Sequence, residues 1–441
     1  MSGTPAGRPT RVSRRQLVAG MGAAAFGGVI AGGAGGFAGA RSTESEAASG
    51  GGGEGAPLKI GALVPVTGFA AADGQEMLRG LKLGVADVNR GGGVGGRPLE
   101  ISLLDAKDQT PEIMTSSMRK FVADEVAAVF SPFLSYTNVE TPIIGRAGTP
   151  LFHVNTFQGN VDFAVERGFK NIFQLCPSEI WYAQGFIDVM TGLIEAGDFT
   201  PRDKTVAVVS SNDAYSISIA RTFRTGIEKL GWSVVQFDTY TVPQNEWGAV
   251  LTRIRERDPD IVFQSDYFVG DEASFIKQFA SAPTRSLVYQ QYAPSVPEYL
   301  KLAGDAADGV LWATTTGTLT DDDMGKRFVE LYRDAYDGEP GLANAGNQYD
   351  GVMLWAKAAG VASDPLDFDQ VGDNVRRMIM RGVNGAYKLG PNQTNMPYPA
   401  YTKDPSLGEP LLTFQIQDGE QVRISPAPYA KGEFKPPSWL T

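Results

Sequence analysis

Short apolar runs alternate with stripes of helical period from Leu58 onward. LKIGALV (58–64) reads as a buried strand, and EMLRGLKLGVADVN (76–89) as a helix with Leu78, Leu81, Val85 and Val88 on one face. LEISLLD (99–105) is the next predicted strand, and residues 111–124 a helix. VAAVF (126–130) and TPLFHV (149–154) read as two more strands around helix-like NVETPIIGRAG, whose start Pro142 limits. This alternation predicts a mostly parallel sheet covered on both faces. A second series begins at Lys204. Strands TVAVVS, SVVQFDTY, DIVFQS and SLVYQQ alternate there with helices SISIARTFRTGIEKLG, EWGAVLTRIRERD and DEASFIKQFA. Beyond them DGVLWATT (308–315) reads as a strand, followed by helices over 321–336, 344–362 and 367–381. A polar, Pro-rich stretch from Pro391 to Pro410 then precedes a late strand, LLTFQI. The expected fold class is α/β, with two lobes of similar size, each a mainly parallel sheet flanked by helices.

The segment before Leu58 follows different rules. Ser13-Arg14-Arg15-Gln16-Leu17-Val18 matches the twin-arginine export pattern, and a Gly/Ala-rich apolar run extends to Phe37. Ala38-Gly39-Ala40 offers a small-x-small cleavage site, so residues 1–40 read as a signal peptide; an uncleaved anchor helix is the alternative. Residues 41–56 are small, polar and Gly-rich, and read as a flexible linker. The expected location is therefore outside the cytoplasm, in the periplasm or on the outer face of the membrane.

Composition removes several function classes. The 441 residues carry a net charge of −11, which disfavours nucleic acid and anionic lipid as partners. Cys176 is the only cysteine and His153 the only histidine. That leaves no internal disulfide, no zinc set and no Cys–His nucleophile pair. No metal and no cofactor is expected. Gly91, Gly93 and Gly96 satisfy G-x-G-x-x-G, but a predicted helix precedes them and a strand follows, the reverse of a dinucleotide site. TDDDMG (320–325) reads as a helix start whose acids complement the dipole. His153 ends a strand in apolar surroundings and reads as a core or rim residue. There is no nucleophile-elbow motif and no convergent acid–base set, so the chain is expected not to be an enzyme.

Open parallel sheets bind ligands beyond the carboxyl ends of their strands. The segments there are PVTGFAAADG, SPFLSYTN and NTFQG in the first series, and SNDAYS, SDYFVGD and QQYAPS in the second. Ser135, Tyr136, Thr137, Asn155 and Thr156 supply hydrogen-bonding groups. Phe157, Tyr215, Tyr267 and Tyr292 supply flat walls, three of them with polar tips. Taken singly these are ordinary loop residues; in register, they outline a cleft for a small polar molecule.

These segments, with G+PLE after a Gly-rich turn, SPFLSYT, TPLFHVNT, NQYDGVMLWAKAA and the tail PAPYAKGEFKPPSWL, resemble the type I periplasmic-binding proteins of the branched-chain amino acid group over residues 57–441. The resemblance implies two lobes joined by a three-segment hinge. Lobe one would comprise 57–176 and 308–395, and lobe two 177–307 and 396–441. It implies a monomer that traps a small-molecule ligand and hands it to the membrane permease of an ABC transporter. The carboxylate-binding serine loop falls on Ser135, Tyr136 and Thr137, and the head-group loop on Asn155, Thr156 and Phe157. The second-lobe tyrosines fall on Tyr215 and Tyr267. The acid that usually holds the ligand ammonium falls near neutral Gln291, which favours an amide, urea-like compound or small organic acid over an amino acid. Phe69, Asp73, Trp181, Asp266, Tyr292 and Asp350 form a wider candidate set, with Asp266 or Asp350 as substitute acids. A ligand-sensing module of the same fold and an exported α/β hydrolase are the alternatives.

Overall fold

The computed structural model describes residues 55–68, 70–398 and 402–440. The expected signal peptide (1–40) and nearly all of the linker lie outside them, as does Phe69. Among the described residues no helix is long and apolar enough to cross a membrane.

The first sheet contains β1 (Leu58–Val64), β2 (Leu99–Asp105), β3 (Ala128–Phe130), β4 (Leu151–His153) and β5 (Ile172–Gln174) in the order β2-β1-β3-β4-β5, all parallel. Central β1 is buried at every position but Lys59, because helices cover both of its faces. The crossover helices are α1 (Ala71–Arg90), α2 (Pro111–Ala123), α3 (Thr141–Ala147) and α4 (Gln158–Glu166). α1 buries Met77, Leu78, Leu81, Val85 and Val88, as its period requires. The Gly-rich turn that follows α1 leads into β2, and Gly93 has a φ of +77° there. A Cβ on it would meet the Arg97 carbonyl oxygen at 2.0 Å, so the motif is a chain reversal.

After α5 (Ile180–Ala196) the chain builds a second sheet from β6 (Thr205–Ser211), β7 (Ser233–Tyr240), β8 (Ile261–Ser265), β9 (Leu287–Gln291) and β10 (Leu311–Thr314). The covering helices are α6 (Ala214–Lys229), α7 (Gly248–Arg257), α8 (Val269–Ala280) and α9 (Pro297–Ala303). The chain then returns to the first lobe with α10 (Asp323–Tyr336), α11 (Ala345–Gly360) and α12 (Phe368–Arg377), plus a small ladder of β11 (Met380–Arg381) and β12 (Ala386–Tyr387). It ends with β13 (Leu412–Gln417) and β14 (Glu420–Ser425), antiparallel strands that complete the order β14-β13-β10-β9-β8-β6-β7.

Pairing moves two expected lobe boundaries. β10 pairs with β9 and β13, so the second lobe runs past Thr314 instead of ending at residue 307. Met396 and Glu409 stay with the first lobe: Glu409 N–H donates to the Met396 carbonyl, and its buried carboxylate accepts from Asn347 and Asn395. The return to the second lobe therefore begins near Leu411 and not at residue 396.

Among the described residues each hydrophobic core belongs to one lobe. One set of clusters contains β1–β5 and α11, the other β6–β10 and β13. The three crossings and a few polar contacts join the lobes. Glu179, at the first crossing, accepts from the Gln158 N–H of α4 (2.6 Å) and from the Ser218 hydroxyl of α6 (2.5 Å). Adjacent acids at the second crossing face opposite ways: Asp321 pairs with Arg423 and Lys431 of the second lobe, Asp322 with Arg381 of the first. Asp322 also caps α10, the helix-start role expected for TDDDMG. Lobes without a shared apolar core can reorient at small cost.

Candidate functional site

Loops at the carboxyl ends of β1, β2, β3, β4, β6, β8, β9 and β10 converge on one cavity of about 710 Å³. From the first lobe, Ser135, Tyr136 and Thr137 follow β3, Asn155 and Thr156 follow β4, and Asp73 and Met77 stand on the first turns of α1. From the second lobe, Tyr215 stands on the first turn of α6, Tyr267 and Phe268 follow β8, and Tyr292 follows β9.

Much of the polar wall is already hydrogen-bonded. Ser135 donates its N–H (2.7 Å) and its hydroxyl (2.6 Å) to the two carboxylate oxygens of Glu140, a residue with no exposed surface. Thr137 donates to the Ser135 hydroxyl oxygen. The Asn155 amide donates to the Leu134 carbonyl and to Asn160 Oδ1. Thr156 accepts the Glu179 N–H through its carbonyl, and its hydroxyl has no hydrogen-bond partner among the described residues.

Asp73 ties the lobes together. Its Oδ2 accepts the Tyr292 hydroxyl (2.9 Å) and its Oδ1 accepts the Asn344 amide (3.3 Å). Both donors have left-handed backbones, with φ of 75° at Tyr292 and 83° at Asn344. Such conformations cost roughly 1–3 kcal/mol each and persist where the surroundings impose them. At Tyr292 the reversal brings the ring to the cavity wall, while the preceding Gln291 stays buried in β9. Burial raises the Asp73 pKa, and the Tyr292 hydrogen bond partly offsets that. Burial also pushes Tyr182 and Tyr267 up to about 12, so both hydroxyls keep their protons at neutral pH.

The wall is aromatic as well as polar. The rings of Tyr182 and Tyr215 stand 6.5 Å apart at 77°, and those of Tyr215 and Tyr267 6.4 Å apart at 79°. Phe157 is not in the wall. It stands behind Tyr136, ring centroids 5.0 Å apart at 72°.

Four other candidates also fall outside the wall. Gln291 is fully buried, and its amide oxygen accepts from Tyr289. Asp266 accepts from Tyr240 and from the N–H groups of Tyr267 and Phe268, so it orients the loop that carries the wall residues. Asp350, on α11, is enclosed by the N–H groups of Val383 and Asn384 and the hydroxyl of Tyr387. Trp181 lies on the first turn of α5 but does not line this cavity; the neighbouring Tyr182 does. His153 is fully buried in β4, and burial pushes its pKa down to about 3.

Tyr182, Thr316 and Asn344 line the cavity from outside the expected strand-end segments, and Phe133 from within SPFLSYTN. Thr316 follows β10, so the strand-end rule reaches it once that strand is counted with the second sheet. Tyr182 required recognition of β5, three residues long. The left-handed turn at Asn344 has no cue in the sequence beyond the residue type.

Comparison with known proteins agrees with this geometry. The family model described as periplasmic binding protein matches residues 57–402. The Leu/Ile/Val-binding protein homolog 8 of Brucella abortus is 26% identical over 401 residues, covering 86% of this chain and 94% of the relative. A solved structure from Silicibacter pomeroyi, provisionally described as a branched-chain amino acid ABC transporter, superposes with a TM-score of 0.82 at 32% identity, covering 87% of this chain and all of that one. The substrate-binding protein LivJ of Streptococcus pneumoniae, solved with isoleucine, shares the fold at a TM-score of 0.68 and 21% identity, over 83% of this chain and 97% of its own.

Proposed function

The chain belongs to the periplasmic binding protein family, and from that premise we propose that it is the substrate-binding component of an ABC importer. It captures a small polar solute between its lobes, outside the cytoplasm, and presents it to a membrane permease. It acts as a monomer, by binding and not by turnover. Export follows the twin-arginine route. The observation that carries this reading is the convergence of strand-end loops from two separately cored sheets on one cavity.

The solute first meets the first lobe, through Tyr136, Thr137 and Thr156. Rotation at the hinge then brings Tyr215 and Tyr267 against it and forms the Tyr292–Asp73 contact. Micromolar affinity corresponds to about −8 kcal/mol. Three to five hydrogen bonds at about 1 kcal/mol each, with burial against the aromatic wall, reach that value after the closing cost. Ligand shifts the open–closed population by its preference for the closed form.

A thermal-shift screen of the mature chain against amino acids, amides, organic acids and small ammonium compounds tests the reading. A solute should raise the melting temperature in a concentration-dependent way, by mass action. No response to any class would contradict capture.

A further inference from the structure

The cavity carries acid and aromatic surface but no fixed positive charge. Asp73 and Asp108 line it, and none of the described lining residues is Arg, Lys or His. Asp73 makes no ion pair among the described residues; its partners are the neutral Tyr292 and Asn344, and Glu76 is a like charge nearby. A half-buried carboxylate beside neutral groups alone is poorly compensated, and a counter-charge from outside the chain would complete it.

Two of the groups that would receive an anion, on Ser135 and Asn155, are already engaged. The Ser135 N–H and hydroxyl are bound by the carboxylate of Glu140, buried behind the loop. The Asn155 amide is spent on Leu134 and Asn160. A carboxylate entering at Ser135 would have to displace an internal one, and the cavity holds two acids. The rings of Tyr182, Tyr215 and Tyr267 stand in succession at nearly right angles, forming adjoining walls of a box. Ring faces in such a box attract a cation, most of all one whose charge is spread over alkyl groups. The net charge of −11 enriches cations at the surface.

We propose that the solute is a compact organic cation of the alkylammonium class, its charged end among the rings of Tyr182, Tyr215 and Tyr267 in the cavity that the carboxylate of Asp73 also lines. This rests on the capture reading and narrows it. A cation in that position adds to the interlobe tie, because the Asp73 carboxylate it neutralises also holds Tyr292 of the other lobe.

Calorimetric titration of the mature chain with choline and with tetramethylammonium, beside isoleucine, benzoate and acetamide, tests it. At least one of the two quaternary cations should bind at least tenfold more tightly than the three other probes. Asp73→Asn should weaken that binding tenfold or more. Tyr267→Leu, which keeps the bulk and removes the ring, should weaken it several-fold even if the Asp73 variant fails to fold. Binding of isoleucine, benzoate or acetamide with neither quaternary cation bound would overturn the cation assignment and leave solute capture standing. Cation affinity unchanged in Tyr267→Leu would overturn the aromatic box. Binding of none of the five, with no response across the wider thermal-shift screen, would contradict capture itself.

Discussion

Three donors surround the Asp350 carboxyl, yet burial still pushes its pKa up to about 6, from 3.8. A carboxyl whose pKa is raised by folding stabilises the protein while protonated. That contribution is fully present below about pH 4 and is lost as pH rises through 6. Asp350→Asn should therefore be less stable than the parent at pH 4, and the gap should narrow towards pH 7. Urea unfolding at both pH values checks this, and a gap independent of pH would contradict it. The same residue shows where reading the chain alone stops. A buried acid on an apolar helix is a plausible ligand group by type, and only the loop that folds over it, Val383 to Tyr387, makes it internal. Tyr215 and Tyr267 were legible because each directly follows a strand by no more than a turn. Gln291 was not, because the left-handed backbone at Tyr292 gives the wall position to the next residue.

At the scale of elements, α1 lies against α11 at a distance only glycine permits. A Cβ on Gly80 would meet the Ala345 carbonyl oxygen at 1.9 Å, and one on Gly84 the Val352 Cβ at 2.9 Å. Gly80→Ala should destabilise the first lobe by about 2 kcal/mol, since the helices must move apart. Gly192, inside α5, has open space around its Cβ position, so Gly192→Ala should instead stabilise by about 0.5–1 kcal/mol. Thermal unfolding of the two variants gives the comparison, and equal effects would contradict the packing. Most strands of the two sheets could be read from short apolar runs, and helices such as α1, α6 and α10 from their period. The strand Ile172–Gln174 could not, although β3 and β4 are as short; those two lie in longer apolar runs, VAAVF and TPLFHV. β10 was read as a strand but given to the wrong lobe. Its composition suits either sheet, and its hydrogen-bonded neighbours decide.

For the whole molecule, the arrangement is two separately cored lobes, three crossings and polar ties across the cavity mouth. The Tyr292–Asp73 hydrogen bond is such a tie between opposed lobes. A hydrogen bond to a charged group contributes about 1.5–3 kcal/mol, so Tyr292→Phe should weaken solute binding about tenfold or more. Its melting temperature without solute should stay near that of the parent, because the bond joins lobes and not a core. A large loss of stability without solute would make Tyr292 a structural residue. The central claim is that the space between the strand ends holds a metabolite. Native mass spectrometry of the chain purified from its own cells, beside Thr156→Trp, which places an indole in that space, tests this most directly. The account predicts that the parent carries an added mass of one small solute and that the folded variant does not. The same adduct on both proteins, or on neither, would contradict it.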